Sequence, residues 1–386
     1  MPAVQRSEKW SYSLAIRVDA AHPQEPRSDG TGFTAVGSVP GADLSRIRRF
    51  LHPGRFELVA FVLLAATAAS AVFTSRGWQT GDLALFAGAG KTMLSGAWAH
   101  TFHDPIVQAA PLELLAARLL TLVSWSPASL AAATEVILCG ALIATFRTIV
   151  GRRALPLILF IVVAIALGPI PDAYSTGHFA EPVAGILWLL AARHARAGRV
   201  GRAGLLIGLS SGFELWGVLG VAVLALAPNL RRSVRGAVIA AEVTTIMLAP
   251  FVVGGDFHMF AWKWYVAGGP IHLLVGVGYP FGWPLRLLQG VATVGLAGGL
   301  ALLIRRSPVS IFVIPAATVF VRLLFDPLGL YYYWDPAIEI ALLGAAAALV
   351  QRGTLVDSVH AALGPRYAGL VTGSRFSLRR KRTRPV

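Results

Sequence analysis

Long apolar runs separated by short basic clusters set the pattern of this chain. FELVAFVLLAATAASAVF, beginning at Phe56, would be apolar on every side of a helix, and comparable runs begin at Ala154, Gly236, Leu285 and Ser307. A helix needs about 20 apolar residues to cross the hydrocarbon layer, and only helices or closed barrels satisfy their backbone groups there. Because these runs lack a polar face, they read as spans rather than amphipathic surface helices. The predicted fold is all-α: a polytopic integral membrane protein of about 10 or 11 transmembrane helices.

Composition agrees with this pattern. Of the 386 residues, 55% are hydrophobic and only 14% charged, against roughly 25% charged in an average soluble domain. A net charge of +15 would suit a nucleic-acid binder, but the arginines cluster between apolar runs and in the tail RFSLRRKRTR. That placement reads as topology anchors and headgroup contacts. Among 34 basic residues only Lys9, Lys91, Lys263 and Lys381 are lysines, an arginine bias that points to a GC-rich bacterial genome and so to a bacterial cytoplasmic membrane. Cys139 is the single cysteine, which excludes an intrachain disulfide and a cysteine-based metal site.

Three regions follow. Residues 1–45 are polar, rich in Gly, Ser and Pro and without an apolar core near Met1, so they read as a disordered cytoplasmic arm rather than a signal peptide. Residues 46–352 form the polytopic domain, and 353–386 a basic cytoplasmic tail. Arg46, Arg48, Arg49 and Arg55 precede the first span and place both termini in the cytoplasm when the count is run from each end. Loops 74–110, 254–284 and 325–335 then fall outside. The middle admits two solutions. Arg152, Arg153 and the cluster RHARAGRVGR stay inside if 111–148 contains an irregular or re-entrant segment and 203–228 is a hairpin; full-length helices throughout would put those arginines outside.

The first outer loop carries the most chemistry. In TGDLALFAGAGKTMLSGAWAHTFHDP, Asp82 precedes Leu83, Phe86, Gly90 and Met93 or Leu94 at helical spacing, the pattern of an amphipathic helix on the bilayer surface. A carboxylate at that boundary is either a general base or simply the helix N-cap, a role Asp often fills. The order Gly-Asp, an aromatic four residues on, small residues, a Leu-Ser-Gly turn, an aromatic stretch and a proline opening the next segment resembles the first outer loop of polyprenyl-phosphate-dependent glycosyltransferases of the GT-C fold. It is most similar to the family 87 mannosyltransferases of actinobacteria. The block GHFAEPVAGILWLLAARHARAGRVGRAGLLIGLSSGFELWG resembles a second family region, with His178 at the family's Gln, Glu214 at its Lys, and Ala110-Pro111 for its Tyr-Pro-Pro. The resemblance implies a GT-C-like arrangement over about residues 56–350, with Asp82 as catalytic base.

Lys91, His258, His272, Arg286, Arg322, Asp326, His178 and Glu214 are the substrate and phosphate-binding candidates, since basic side chains hold phosphate oxygens through charge-assisted hydrogen bonds. Two plainer readings stand beside these: Arg322 pairs with Asp326 one turn away, and Arg286 snorkels to headgroups. His100, His103 and Asp104 form a His-x-x-His-Asp group that could take a divalent cation, although the expected transfer requires no cofactor. Trp262, Trp264, Tyr265, Tyr279, Phe281, Trp283 and Tyr331–Trp334 offer either sugar-stacking faces or an interfacial aromatic belt. Glu214 is an acid within an apolar run, and Glu113, Glu135, Glu181 and Glu242 lie in or beside others; acids so placed face cavities or partners.

The leading expectation is a membrane hexosyltransferase that moves mannose or another aldose from a polyprenyl-phosphate donor to an envelope glycolipid or glycan on the outer face. Its partners would be that donor, that acceptor and the bilayer, with no nucleic acid. A transporter or flippase using Glu214, Glu242 and Arg322, and an inactive GT-C-like assembly partner, are the alternatives.

Overall fold

The computed structural model describes residues 55–75, 81–124 and 126–352. The expected N-terminal arm at 1–45 and the basic tail at 353–386 lie outside the described residues. In chain order the helices are α1 Phe56–Thr74, α2 Leu83–Met93, α3 Pro111–Val123, α4 Pro127–Ile149, α5 Ala154–Ala166, the one-turn α6 Asp172–Ser175, α7 Ala180–Arg196 and α8 Val200–Phe213. A 3₁₀ helix Leu215–Leu226 precedes α9 Leu230–Gly254. Strands β1 Trp264–Tyr265 and β2 Pro280–Phe281 then pair antiparallel around the one-turn α10 His272–Val275. The chain closes with α11 Trp283–Ile304, α12 Ser310–Leu324 and α13 Tyr331–Arg352, whose first turn is 3₁₀. Local chemistry sets several boundaries: Ser126 and Ser129 form a reciprocal capping box before α4, and the Asn229 side chain caps α9.

α1, α4, α9, α11 and α13 are long and apolar enough to cross a membrane. Their burial sorts them. Only 11% of the apolar window of α9 and 17% of that of α1 is covered by protein, against 56% for α4. The uncovered faces carry Val253 at 86% and Leu303 at 83% exposure, a hydrophobic surface that water would not tolerate over this extent and lipid does. The molecule is a mostly helical membrane protein with α4 inside the bundle and the apolar faces of α1, α9 and α11 left uncovered by protein.

Contacts between helix ends decide how the middle of the chain runs. Phe56 stacks on Phe146 at 6.5 Å, and Glu57 pairs with Arg152 at 3.1 Å, so α1 and α4 are antiparallel and the start of one meets the end of the other. α3 lies against α2, where a side chain on Gly90 would collide with the Leu114 carbonyl. The 203–228 stretch folds back on itself at Glu214: Leu224 returns to Gly236, which also faces the Val200 carbonyl. Trp188 of α7 donates to the Gly217 carbonyl at 2.8 Å and fixes the descending arm. The hairpin in 203–228 is a feature of the first of the two arrangements that the sequence allowed.

At the end of the bundle opposite that turn, Arg196 donates to the Ser307 carbonyl and, at 3.2 Å, to Ser310 Oγ, tying α7 to the α11–α12 turn.

The Gly220 position tests this packing, because a Cβ there would lie 2.3 Å from Trp188 Nε1. Gly220→Val is expected to displace the indole and cost about 1–3 kcal/mol, read as a lowered thermal midpoint in nanodiscs. Gly88→Ala, whose Cβ would meet nothing within 4 Å, is expected to leave the midpoint unchanged.

Candidate active site

Two glycines bring Asp82 to its place. Gly81 at φ +49° and Gly177 at φ +82° occupy the left-handed region that favours glycine, and the Asp82 N–H donates to the Thr176 carbonyl at 2.9 Å. The turn before α2 is thereby locked against the turn before α7. Asp82 stands at the N-cap of α2, yet its side chain makes no capping bond. Its Oδ2 instead accepts from His178 Nε2 at 2.9 Å. A carboxylate can only accept, so Nε2 carries the proton. The imidazole is held by stacking on Tyr332 at 4.6 Å and 13°, and by an edge contact with Phe86 at 5.4 Å.

The hydrogen bond from His178 is the largest influence on Asp82 and holds its carboxyl below the usual range; partial burial opposes this and the histidine's charge adds to it. Asp82 is therefore ionised at neutral pH, with 56% of its side chain exposed and its second oxygen free to meet a ligand.

The carboxylate opens into a cavity of about 850 Å³. His178, Glu214, Arg286 and Arg322 share its walls with Trp216, Trp262, Trp264, Trp283, Tyr332 and Tyr333. Asp326, completely buried, organises the cationic wall: Oδ2 accepts from Arg286 at 2.9 Å and faces Arg322 at 3.6 Å, while Oδ1 accepts from the Leu328 N–H at 2.9 Å. Arg322, only 3% exposed, also faces Glu181 at 3.7 Å. The guanidinium of Arg322 lies over Trp216 at 4.0 Å and Tyr333 at 4.5 Å, and that of Arg286 over Trp264 at 4.2 Å. Arg286 Nε and Arg322 Nε and NH1 are buried and make no hydrogen bond.

These contacts decide between the readings open at sequence level. Arg322 does pair with Asp326, but Arg286 joins the same carboxylate rather than snorkelling. Lys91 is exposed in the last turn of α2 and does not line the cavity. His272 bonds through Nδ1 to the Gly269 carbonyl at 2.5 Å within the β1–β2 excursion, and His258 joins His103 and Asp256 on the loop surface. Asp104 turns away from His100 and His103 and accepts from the Ile106 N–H at 3.0 Å. Glu242 is exposed on α9. The aromatics divide: Trp262, Trp264, Trp283, Tyr332 and Tyr333 face the cavity, whereas Tyr265 at 61% and Tyr331 at 62% exposure point outward. Sequence reasoning did not single out Trp216; its position two residues after Glu214 was the available signal.

The cavity continues as an apolar slot. Val221, Val294 and Gly295 line both it and a second cavity of about 490 Å³ that extends past Gly298, Gly299 and Leu302 to Arg305. Side chains at Gly295, Gly298 and Gly299 would meet nothing within 4 Å, so their absence leaves an open trough along α11.

Comparison with protein-family models, curated proteins and solved structures finds no match to this chain.

Removing the imidazole leaves burial as the dominant influence on Asp82. His178→Ala is expected to move the Asp82 titration, followed by its infrared carboxyl band with Asp82→Asn as blank, to higher pH. The sign follows from the lowered folded value: the bond stabilises the fold above the unfolded carboxyl pKa, and that contribution is lost as pH falls through the folded value. A band that does not move would mean the histidine does not set the acidity of this group.

Proposed function

We propose that this protein is a membrane glycosyltransferase of GT-C type that transfers a sugar, mannose or another aldose, from a polyprenyl phosphate to an envelope glycolipid or glycan. The observation that carries the reading is one cavity lined by an ionised carboxylate and two arginines, with an apolar trough leading from it. A lipid-linked sugar phosphate needs all three.

In the proposed step, the acceptor hydroxyl gives its proton to the free oxygen of Asp82 as its oxygen attacks the anomeric carbon. The bond from that carbon to the phosphate oxygen breaks, and its electron pair leaves on the polyprenyl phosphate, with inversion at the sugar. Arg286 and Arg322 would receive the phosphate charge. Asp326 keeps the two guanidiniums side by side, and Glu214 faces the same space, where it can accept from sugar hydroxyls. The tryptophans supply stacking faces for the pyranose ring. No metal or other cofactor enters the step.

Ten passes fit this reading: α1, α4, α5, α7, α8, the 3₁₀ arm, α9, α11, α12 and α13, with α2 and α3 lying at the surface. Both termini and the Arg152, Arg196 and Arg305 ends would then be cytoplasmic, in keeping with the positive-inside bias, and Asp82 would work on the outer face of a bacterial cytoplasmic membrane. Transport is less well supported. Ionisable side chains stand at the two ends of the trough, Arg286 and Arg322 at one and Arg305 at the other, and the α11 face between Val294 and Leu302 carries none, whereas a coupled pathway keeps polar groups near mid-depth.

Transfer of radiolabelled mannose from polyprenyl-phosphate mannose to endogenous acceptors, in membranes expressing the chain, is expected to drop about 100-fold or more for Asp82→Asn. Undiminished turnover in that variant, at matched protein level, sinks the assignment. Gly298→Phe, which fills the trough, is expected to raise KM for a long-chain donor several-fold while leaving a short-chain analogue unaffected; equal effects on both would remove the trough from the donor site.

A further inference from the structure

Away from the cavity, two loops meet in a cluster of ionisable side chains. The loop after α2 brings His100 and His103, and the loop after α9 brings Asp256 and His258. Backbone bonds hold them in register: the Asp256 N–H donates to the Ala99 carbonyl at 2.7 Å, and the His258 N–H to the Phe102 carbonyl at 2.9 Å. His103 Nδ1 lies 2.5 Å and His100 Nδ1 3.9 Å from Asp256 Oδ2, and His258 Nε2 lies 3.2 Å from Oδ1. The ligand atoms of His100, His103 and Asp256 all fall within 4.8 Å of one another.

The tautomers make this cluster informative. His258 Nδ1 lies 3.2 Å from the His103 carbonyl, an oxygen that can only accept, so Nδ1 carries the proton. In a neutral imidazole Nε2 is then a lone pair facing a carboxylate lone pair. Two acceptors at that distance need a cation between them, either a second proton on the ring or a metal ion. A backbone carbonyl on the remote ring nitrogen is also how metal-bound histidines are commonly oriented. Imidazoles and a carboxylate are a zinc donor set; His100, His103 and Asp256 already bring their ligand atoms together, and His258 reaches the other oxygen of the same carboxylate, so small shifts of exposed loop side chains complete four ligands.

We infer that His100, His103, Asp256 and His258 bind one zinc ion that clamps the loop after α2 to the loop after α9. The clamp is structural. Four protein ligands leave no open position, and both loops it joins line the cavity, Ile106 and Gln108 from one and Trp262 and Trp264 from the other. Gln108 already bridges them through the Met259 carbonyl at 3.0 Å. The inference does not depend on the transfer reaction.

The test uses full-length protein in nanodiscs, stripped with a chelator and reloaded with zinc or cobalt alone. Expected are about one zinc per chain by elemental analysis, a thermal midpoint several degrees higher with metal, and the intense visible bands of tetrahedral cobalt. His103→Ala and His258→Ala should each abolish the stoichiometric metal and the midpoint shift, and His272→Ala should preserve both. Substoichiometric zinc in the wild type overturns the site, as does unchanged binding in His103→Ala and His258→Ala. A midpoint that responds to pH but not to metal would assign the cluster to a protonated His258 and refute the clamp. Should a variant fail to fold, the wild-type cobalt spectrum alone decides, since octahedral bands exclude the proposed donor set.

Discussion

The bond between Asp326 and two arginines is the constraint on which the site depends. A lone guanidinium inside a low-dielectric bundle is costly, and so is a lone carboxylate. Arg322 and Asp326 come from α12 and the turn after it, Arg286 from the start of α11, and Glu181 from the start of α7. Their mutual neutralisation fixes how those elements meet. Gln289 reinforces the joint, accepting from Arg286 at 3.2 Å and donating to the Arg322 carbonyl at 2.8 Å. Removing Asp326 would leave two buried cations beside one another; removing either arginine would leave a buried acid short of a partner.

Asp82 is held by different means. Its position comes from backbone geometry, the paired turns at Gly81 and Gly177, and its charge is managed by one histidine wedged between aromatic rings. The rigid ion network and the partly exposed carboxylate meet only across the cavity. One wall tolerates no loss of charge. The other, in the proposed transfer, gains and loses a proton.

Much of this was legible in the sequence because it is local. The amphipathic period from Leu83 to Met93 set α2, and the four-residue spacing of Arg322 and Asp326 announced their pairing. The reach of Asp82 to His178, across 96 positions, could be suspected only because each stood in a distinctive motif. What local pattern could not carry is long-range assembly. His100 and His103 were matched with Asp104, their neighbour in sequence, whereas the chain pairs them with Asp256 from a loop 153 positions beyond His103. Lys91 looked available for phosphate because a lone lysine on an outer loop is conspicuous, but its place in the last turn of α2 points it into solvent. Arginine bias allowed a hairpin in 203–228, but only contacts such as Leu224 with Gly236 show the chain folding back there.

The descending arm of the hairpin is a 3₁₀ helix of 12 residues. At about 2.0 Å per residue it reaches about 24 Å, where the same residues as an α-helix would cover about 18 Å. Stretching the backbone thus gives a short apolar segment the reach of an α-helix of about 16 residues. Hydropathy windows calibrated on the 1.5 Å rise would overlook such a segment, and under the proposed ten-pass arrangement a count made that way errs by one, inverting the assigned sidedness of everything downstream.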